Sequence, residues 1–167
     1  MKAHPTTIEG AYLIEPGRSE DDRGWFSTEF ENIYVHQLAT AFNHTACTLR
    51  GMHYQPVEFP QKKLVRCIAG SILDQIVDLR VGSVTYLKKF DAIMDPNNRL
   101  LMFVPSGVAH GYMTLSPSTE VLYLMEGLYK PGMERGVRWN DPALKLWWPE
   151  EPIMISDKDR NWPDFTP

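Results

Sequence analysis

The hydrophobic residues of this chain recur in short runs that are separated by turn-forming residues. The runs follow one another at intervals of about 8 to 12 residues, a spacing typical of an antiparallel sandwich or barrel. Turn signals such as "DPNN" at 95–98 and "SPS" at 116–118 lie between them. The pattern predicts strands at residues 11–14, 25–30, 48–55, 64–68, 72–79, 86–93, 100–104, 111–115 and 120–128.

One helix is predicted early in the chain, at residues 31–42. Its signal is the four-residue spacing of Tyr34, Leu38 and Phe42. The segment from Pro142 onwards is rich in tryptophan and proline, and we expect it to pack across the barrel. The pattern as a whole predicts an all-β jelly-roll barrel with a few short helices, formed by residues 1–167 as a single domain.

Composition narrows the class of protein. The 167 residues are 43% hydrophobic and 23% charged, as in ordinary soluble globular proteins. No apolar run approaches the roughly 18 residues of a membrane span, and the first residues, "MKAHPTTIEG", lack the apolar core of a secretion signal. Only two cysteines, Cys47 and Cys67, are present, and the net charge is −4. We therefore expect a cytoplasmic protein that binds neither nucleic acid nor membrane.

The segment "VPSGVAHGYMTL" at 104–115 contains the P-x-G-x-x-H pattern of the second cupin motif, with its histidine at His110. Metal-binding cupins carry a first motif, H-x-H followed by Glu. Here that region reads H-Y-Q from His53, and Glu58 lies in a proline-flanked loop. Two histidines and a displaced glutamate make a poor transition-metal site, so we expect no metal.

His53 is then either a catalytic base or a core histidine with satisfied nitrogens. Lys63 precedes the apolar strand "LVRCI" and is in phase with its inward residues, where a lysine is costly unless its charge is used. Tyr123 and Tyr129 are six residues apart, so one continuous strand would point both to one face. Either tyrosine could instead be a core residue with a satisfied hydroxyl.

Two arginines lie close to these residues in sequence. Arg23 belongs to "EDDRGWF", and Arg50 begins "RGMHYQ". Strict alternation would send Arg50 and His53 to opposite faces, but a bulge at Gly51 could bring them together. Two arginines beside one pocket would suit a diphosphate, which accepts forked hydrogen bonds, although exposed arginines are commonly only solvated.

Seven stretches, in order and with approximate spacing from residue 8 to about 160, resemble the dTDP-4-dehydrorhamnose 3,5-epimerase family of cupins. They are "DDRGWF" (21–26), "LRGMHYQ" (49–55), "QKKLVR" (61–66), "DQIVDLR" (74–80), "VPSGVAHGY" (104–112), "GVRWNDPAL" (136–144) and "ISDKD" (155–159).

The resemblance implies a homodimer of jelly rolls that exchange N-terminal strands, and catalysis without metal or cofactor. The family's base matches His53, the aspartate that orients the base matches Asp159, the general acid matches Tyr123 and the pocket lysine matches Lys63. The residues that the resemblance assigns to substrate binding are Arg23, Phe26, Asn43, Arg50 and Tyr129. We add Lys158, and His110, which we expect to act behind the others.

The implied reaction inverts C3, C5 or both in a nucleotide-diphosphate 4-keto-6-deoxy hexose, through an enolate, in deoxysugar or surface-polysaccharide biosynthesis. The alternatives are a nucleotide-sugar 3,4-ketoisomerase and a non-catalytic sugar-nucleotide-binding cupin. The chain departs from the family at Ala41, where a glutamine is usual, and at Thr28, where a glutamate is usual. The segment from Asn43 to His53 is also about three residues shorter than usual. These departures concern the nucleotide and sugar ends of the pocket.

Overall fold

A computed structural model describes residues 1–31 and 34–166 of the chain. Almost all regular structure in this part is β-strand, and its only helix, α1, is a single turn at Asp157–Arg160. The strands are β1 (Lys2–Pro5), β2 (Tyr12–Glu15), β3 (Ser19–Asp21), β4 (Gly24–Phe26), β5 (Gln37–Asn43), β6 (Thr48–Tyr54), β7 (Lys62–Ala69), β8 (Ile72–Asp78), β9 (Lys89–Met94), β10 (Leu101–Val104), β11 (Val108–Thr114), β12 (Thr119–Glu126), β13 (Arg135–Gly136) and β14 (Met154–Ile155).

Two sheets form the jelly roll. The first has the strand order β1-β2-β10-β7-β12-β5, and the second has the order β13-β6-β11-β8-β9. All of these neighbours pair antiparallel, whereas β14 adds to β6 in parallel. The hairpin β3–β4 stands apart as a two-stranded sheet. The predicted all-β jelly roll is therefore confirmed.

The main core lies between the two sheets, where their inward residues meet. Val65 and Val121 of the first sheet share one buried cluster with Ile76 and Tyr112 of the second. Strands β8 and β11 are buried along their whole length, including polar residues such as Asp74, Asp78 and His110. Their outer side is covered by the C-terminal segment, from which Leu144 and Trp148 pack against Val77. The prediction that the tail packs across the barrel is confirmed.

The predicted helix at 31–42 is wrong where the structure describes it. Residues 37–43 form strand β5, which pairs with β12 from Thr119 to Met125, while residues 32 and 33 lie outside the described part. The spacing of Leu38 and Phe42 misled the prediction, because positions four apart share a face in a strand as well as in a helix. Both side chains are largely exposed, at 64% and 44%.

The remaining strand predictions hold, with shifted ends. The segment expected at 25–30 is the short strand β4, and the one expected at 86–93 begins only at Lys89. The sequence pattern missed β1, β3, β13 and β14, which have four residues or fewer. The described helix is too short to cross a membrane.

Candidate active site

A cavity of about 630 Å³ opens between the two sheets, at the ends of strands from both. Its wall brings together residues that are far apart in sequence. They are Gln37, Ala39, Ala41, Thr48, Leu49, Arg50, His53, Gln61, Lys63, His110, Tyr123, Met125, Tyr129, Glu134, Met154, Ile155, Ser156, Lys158 and Asp159. All four residues that the sequence proposed for proton transfer line this one cavity.

A bulge in β6 delivers both Arg50 and His53 to the cavity. His110 of β11 pairs with His53, and Tyr112 pairs with Arg50, so three steps along β6 oppose two along β11. Gly51 at the bulge has φ +128°, and a Cβ there would lie 2.5 Å from the Cα of Gly111. Only glycine fits this close approach. The bulge predicted at Gly51 is confirmed.

The ring of His53 is held by a buried carboxylate. Its Nε2 donates to Asp159 Oδ1 at 2.6 Å, and Asp159 Oδ2 accepts the backbone N–H of Gly51 at 3.1 Å. Asp159 lies in α1, whose first turn is capped by the hydroxyl of Ser156. Burial alone would raise the pKa of Asp159, but the hydrogen bonds from His53 and Gly51 hold that pKa below its usual value. Asp159 therefore stays a carboxylate and fixes the orientation of His53.

Lys63 enters the cavity from β7, close to the base. Its Nζ donates to the carbonyl oxygen of His53 at 3.3 Å. Burial lowers the pKa of Lys63 to about 8, although Glu134 and Asp74 partly oppose the shift. Below that pH the ammonium carries a positive charge in a poorly solvated place, where it interacts strongly with a nearby anion.

Tyr123 reaches the cavity from β12, next to β7. Its register partner on β7 is Val65, two residues from Lys63. Burial raises the pKa of Tyr123 well above its usual value, and the nearby Tyr112 hydroxyl adds to the shift. The phenol therefore keeps its proton at neutral pH and can donate that proton or a hydrogen bond.

His110 forms a second, fully buried histidine–carboxylate pair. Its Nε2 donates to Asp74 Oδ2 at 2.7 Å, and its ring lies edge-on to Tyr123 with centroids 6.3 Å apart. In each of the two histidines, Nε2 is therefore hydrogen-bonded to an aspartate, Asp159 for His53 and Asp74 for His110. Within residues 1–31 and 34–166, no group of three or more His, Cys, Asp or Glu side chains is placed to hold a metal ion.

Arg50 is oriented by a polar network behind the cavity. Its Nε donates to Asn43 Oδ1 at 2.8 Å and its guanidinium also donates to the carbonyl of Phe42 at 3.3 Å. Asn43 is itself buried and donates to the carbonyl of Thr119 at 3.1 Å. Asn43 therefore contacts the arginine that lines the cavity and is not part of the lining itself; its assignment as a substrate contact stays a prediction.

The mouth of the cavity carries Tyr129, Lys158 and Glu134. Tyr129 is half exposed, and Lys158 forms an ion pair with Glu134. Glu134 Oε1 also lies 4.0 Å from His53 Nδ1. Sequence reasoning missed Glu134, because it lies in a loop without periodicity. It also missed Gln61, which could have been found from its two-residue spacing to Lys63.

Arg23 and Phe26 lie outside the cavity of this chain. Both belong to the β3–β4 hairpin, where the Arg23 side chain is 90% exposed and forms an ion pair with Asp21 at 2.6 Å. Phe26 is 75% exposed. The structure therefore does not bring these two predicted substrate-binding residues together with the rest of the site within one chain.

Comparison with known proteins gives one consistent family. Residues 5–166 match the family model described as dTDP-4-dehydrorhamnose 3,5-epimerase. A protein of that name from Methanothermobacter thermautotrophicus is 39% identical over 94% of this chain and 90% of its own length.

Two solved structures of similar proteins contain bound nucleotides or nucleotide sugars. The Bacillus anthracis dTDP-4-dehydrorhamnose 3,5-epimerase with TDP and PPi bound is 35% identical, covers 98% of this chain and 99% of its own, and superposes with a TM-score of 0.92. A 3'-monoepimerase from Streptomyces bikiniensis in complex with dTDP-quinovose is 31% identical, covers 96% and 86%, and has a TM-score of 0.87.

Proposed function

The chain belongs to the dTDP-4-dehydrorhamnose 3,5-epimerase family and is an epimerase, and we propose that it inverts C3, C5 or both in a nucleotide-diphosphate 4-keto-6-deoxy hexose. The observation that carries the proposal is the convergence of His53, Asp159, Lys63 and Tyr123 in one cavity. An intact proton-transfer set of this kind supports catalysis over mere binding of a sugar nucleotide. We place the reaction in the cytoplasm and assign it no cofactor.

The first step is removal of a proton next to the 4-keto group. The carbonyl acidifies the C–H bonds at C3 and C5, because the carbanion delocalises into an enolate. His53 accepts that proton, and Asp159 fixes its ring and stabilises the imidazolium that forms. Histidine is the side chain that most often serves as a general base or acid in enzymes.

The second step returns a proton from the opposite side. Lys63 supplies positive charge for the enolate oxygen while the anion exists. Tyr123 still carries its proton at neutral pH, because its pKa is raised, and it delivers that proton to the carbon. Delivery on the face opposite to His53 inverts the centre. Solvent then restores the proton to Tyr123 and takes one from His53.

The nucleotide part is assigned to the cationic and aromatic mouth of the cavity. Arg50 and Lys158 can each donate charge-assisted hydrogen bonds to a diphosphate, and Tyr129 offers a ring face for stacking. The Bacillus anthracis relative holds TDP and PPi, which supports a nucleotide-diphosphate ligand for this chain.

We also propose a homodimer, in which the partner subunit supplies the Arg23 and Phe26 missing from the cavity. Among the strands of the described residues, the β3–β4 hairpin that carries them pairs with no third strand, and an isolated two-stranded hairpin is marginally stable in water. Its Trp25 is 51% exposed and its Phe26 is 75% exposed. An exposed aromatic hairpin is stabilised when a second copy covers it.

Proton NMR in deuterium oxide tests the reaction directly. With dTDP-4-keto-6-deoxyglucose, the enzyme should exchange the C3 proton, the C5 proton or both, and the coupling constants should report the inverted centre. Exchange without a change of configuration would contradict epimerisation. Movement of the keto group from C4 to C3 would instead indicate the ketoisomerase.

A further inference from the structure

Gln61 is a polar residue of the cavity that the mechanism has not used. It directly precedes β7, lines the cavity and is only 7% exposed. It lies two residues before Lys63, and this strand spacing points both side chains to one face. Gln61 therefore stands beside the cation assigned to the enolate oxygen.

The Gln61 amide is buried without a complete set of hydrogen bonds. Within the described residues, its Nε2 has no hydrogen-bond partner. A buried donor left unpaired destabilises a folded protein, so most such groups are paired. Unpaired polar groups that persist in a binding cavity are typical of sites whose partner is a ligand.

The backbone around Gln61 holds it firmly in place. Gly127, beyond the end of β12, has φ +100°, and a Cβ there would collide with the carbonyl oxygen of Pro60 and approach the Cα of Gln61 to 3.1 Å. The glycine lets the two segments pack backbone to backbone. This packing fixes the backbone of Gln61 at the edge of the cavity, so only the side chain has to turn for its amide to reach a ligand.

Resting on the proposed function, we infer that Gln61 is a further substrate-contacting residue: its side-chain amide turns into the cavity when the sugar binds, and its Nε2 donates to the C4 oxygen as that oxygen becomes an enolate. Lys63 Nζ is the second donor to the same oxygen. When His53 takes the proton, the electron pair of the C–H bond moves into the carbonyl and places negative charge on that oxygen. Gln61 keeps its own hydrogens throughout, and no co-reactant is required.

Such a contact acts on the rate more than on binding. A hydrogen bond that strengthens when charge develops lowers the barrier and changes the affinity for the ground state little. Loss of one oxyanion donor typically lowers kcat by about 10²- to 10³-fold. Removing an unpaired buried amide should at the same time leave the melting temperature unchanged or raise it by a few degrees.

Gln61→Met and Gln61→Glu test the inference. Gln61→Met keeps the length of the side chain and removes the donor; we expect kcat and the rate of C–H exchange in deuterium oxide to fall about 10²-fold, with KM within about threefold of wild type. Gln61→Glu should lower both rates at least as far at neutral pH, because its carboxylate repels the enolate. If Gln61→Met does not fold, the Glu variant decides.

The matched control is Gln75→Met. Gln75 is also a buried amide, but its Nε2 donates to the backbone carbonyl of Trp147, outside the cavity. This variant should lose melting temperature and keep wild-type kcat and KM. Wild-type exchange rates in Gln61→Met, or a raised KM with unchanged kcat, would overturn the inference and leave the proposed function standing. A wild-type enzyme that exchanges neither proton would overturn both.

Discussion

His53 and Asp159 lie 106 positions apart in the chain, yet the histidine Nε2 donates to the aspartate Oδ1 over 2.6 Å. The same carboxylate accepts the backbone N–H of Gly51 through its other oxygen. One side chain near the C-terminus therefore orients the proposed base and anchors the bulge that turns this base into the cavity. Loss of the carboxylate affects both.

Asp159→Asn should lower kcat by about 10²- to 10⁴-fold, the range found when general-base catalysis is lost. The amide keeps the shape of the carboxylate but cannot stabilise an imidazolium, and it can favour the wrong histidine tautomer. Asp157→Asn is the matched control, because Asp157 lies in the same turn and is exposed. Steady-state kinetics of the two folded variants check this prediction, and equal activities would remove Asp159 from the mechanism.

The pH dependence should report Lys63. Burial lowers its pKa to about 8, so the fraction of Lys63 that is charged falls as the pH rises through 8. We expect kcat/KM to have an alkaline limb with its midpoint near that pH, since only the ammonium stabilises an enolate. Lys63→Arg stays charged at all accessible pH values, so any activity that it retains should lack this limb. A limb unchanged in Lys63→Arg would assign the titration to another group.

The central strands of the fold could be predicted from sequence, whereas the early segment could not. Strands β8 and β11 lie between turn signals and carry apolar residues such as Ile72, Ile76 and Tyr112 into the core, so the alternation of strands and turns marks them. Strand β5 shows no hydrophobic alternation: its cavity side carries the small residues Ala39 and Ala41, and the apolar Leu38 is exposed on the other side. Small residues give little hydrophobic signal, and the four-residue spacing that remained fits helix and strand equally.

Local sequence patterns predicted only some of the residues of the candidate site. The period of β7 singled out Lys63, and the glycine of β6 singled out the bulge that rotates Arg50 to the side of His53. The contact between His53 and Asp159 depends on how the C-terminal segment folds back, which no local pattern encodes; the resemblance alone supplied it. In the proposed dimer, the place of Arg23 depends on a second copy of the chain, so one sequence read strand by strand cannot show it.

The enzyme should work without a metal ion. The Nε2 atoms of His53 and His110 are each bonded to an aspartate, and the H-x-H motif of metal-binding cupins is missing. Prolonged treatment with a chelator, followed by assay in metal-free buffer, should leave kcat and KM unchanged. Loss of activity that a single divalent metal restores would contradict this expectation.

Arg50→Ala and Arg23→Ala should raise KM far more than His53→Ala does. Each arginine is assigned charge-assisted hydrogen bonds to the diphosphate, and loss of such a bond costs about 1.5 to 3 kcal/mol, or roughly 10- to 150-fold in affinity. Titration of each folded variant with the nucleoside diphosphate alone gives the same comparison without turnover. An unchanged affinity in Arg50→Ala would remove that residue from the nucleotide site.

Mixed dimers can show which subunit supplies Arg23. In a heterodimer of Arg23→Ala and His53→Ala chains, one site combines an intact His53 with the intact Arg23 of the other chain if the hairpin reaches across. After random exchange of subunits, about one quarter of the sites are then intact, and activity at low substrate concentration should recover to that level. If Arg23 acts within its own chain, mixing restores nothing. An active monomer in light scattering would also exclude the exchange.

The division of labour between His53 and Tyr123 should be separable by mutation. His53→Ala should lose both deuterium exchange and inversion, because no enolate forms without the base. Tyr123→Phe keeps the ring and its packing against His110 and the core, but it has no proton to deliver. In this variant His53 still removes the substrate proton, exchanges it with solvent and returns deuterium to the same face.

Tyr123→Phe should therefore label the substrate while inverting it about 10²- to 10⁴-fold more slowly than the wild type. Tyr129→Phe is the matched control, because Tyr129 lines the same cavity but is half exposed at its mouth. Its inversion rate should stay close to wild type. Proton NMR in deuterium oxide follows labelling and inversion in one experiment, since labelling removes a proton signal and inversion changes the coupling constants. If Tyr123→Phe inverts the sugar at the wild-type rate and Tyr129→Phe does not, the acid is Tyr129, and Tyr123 only packs the cavity wall.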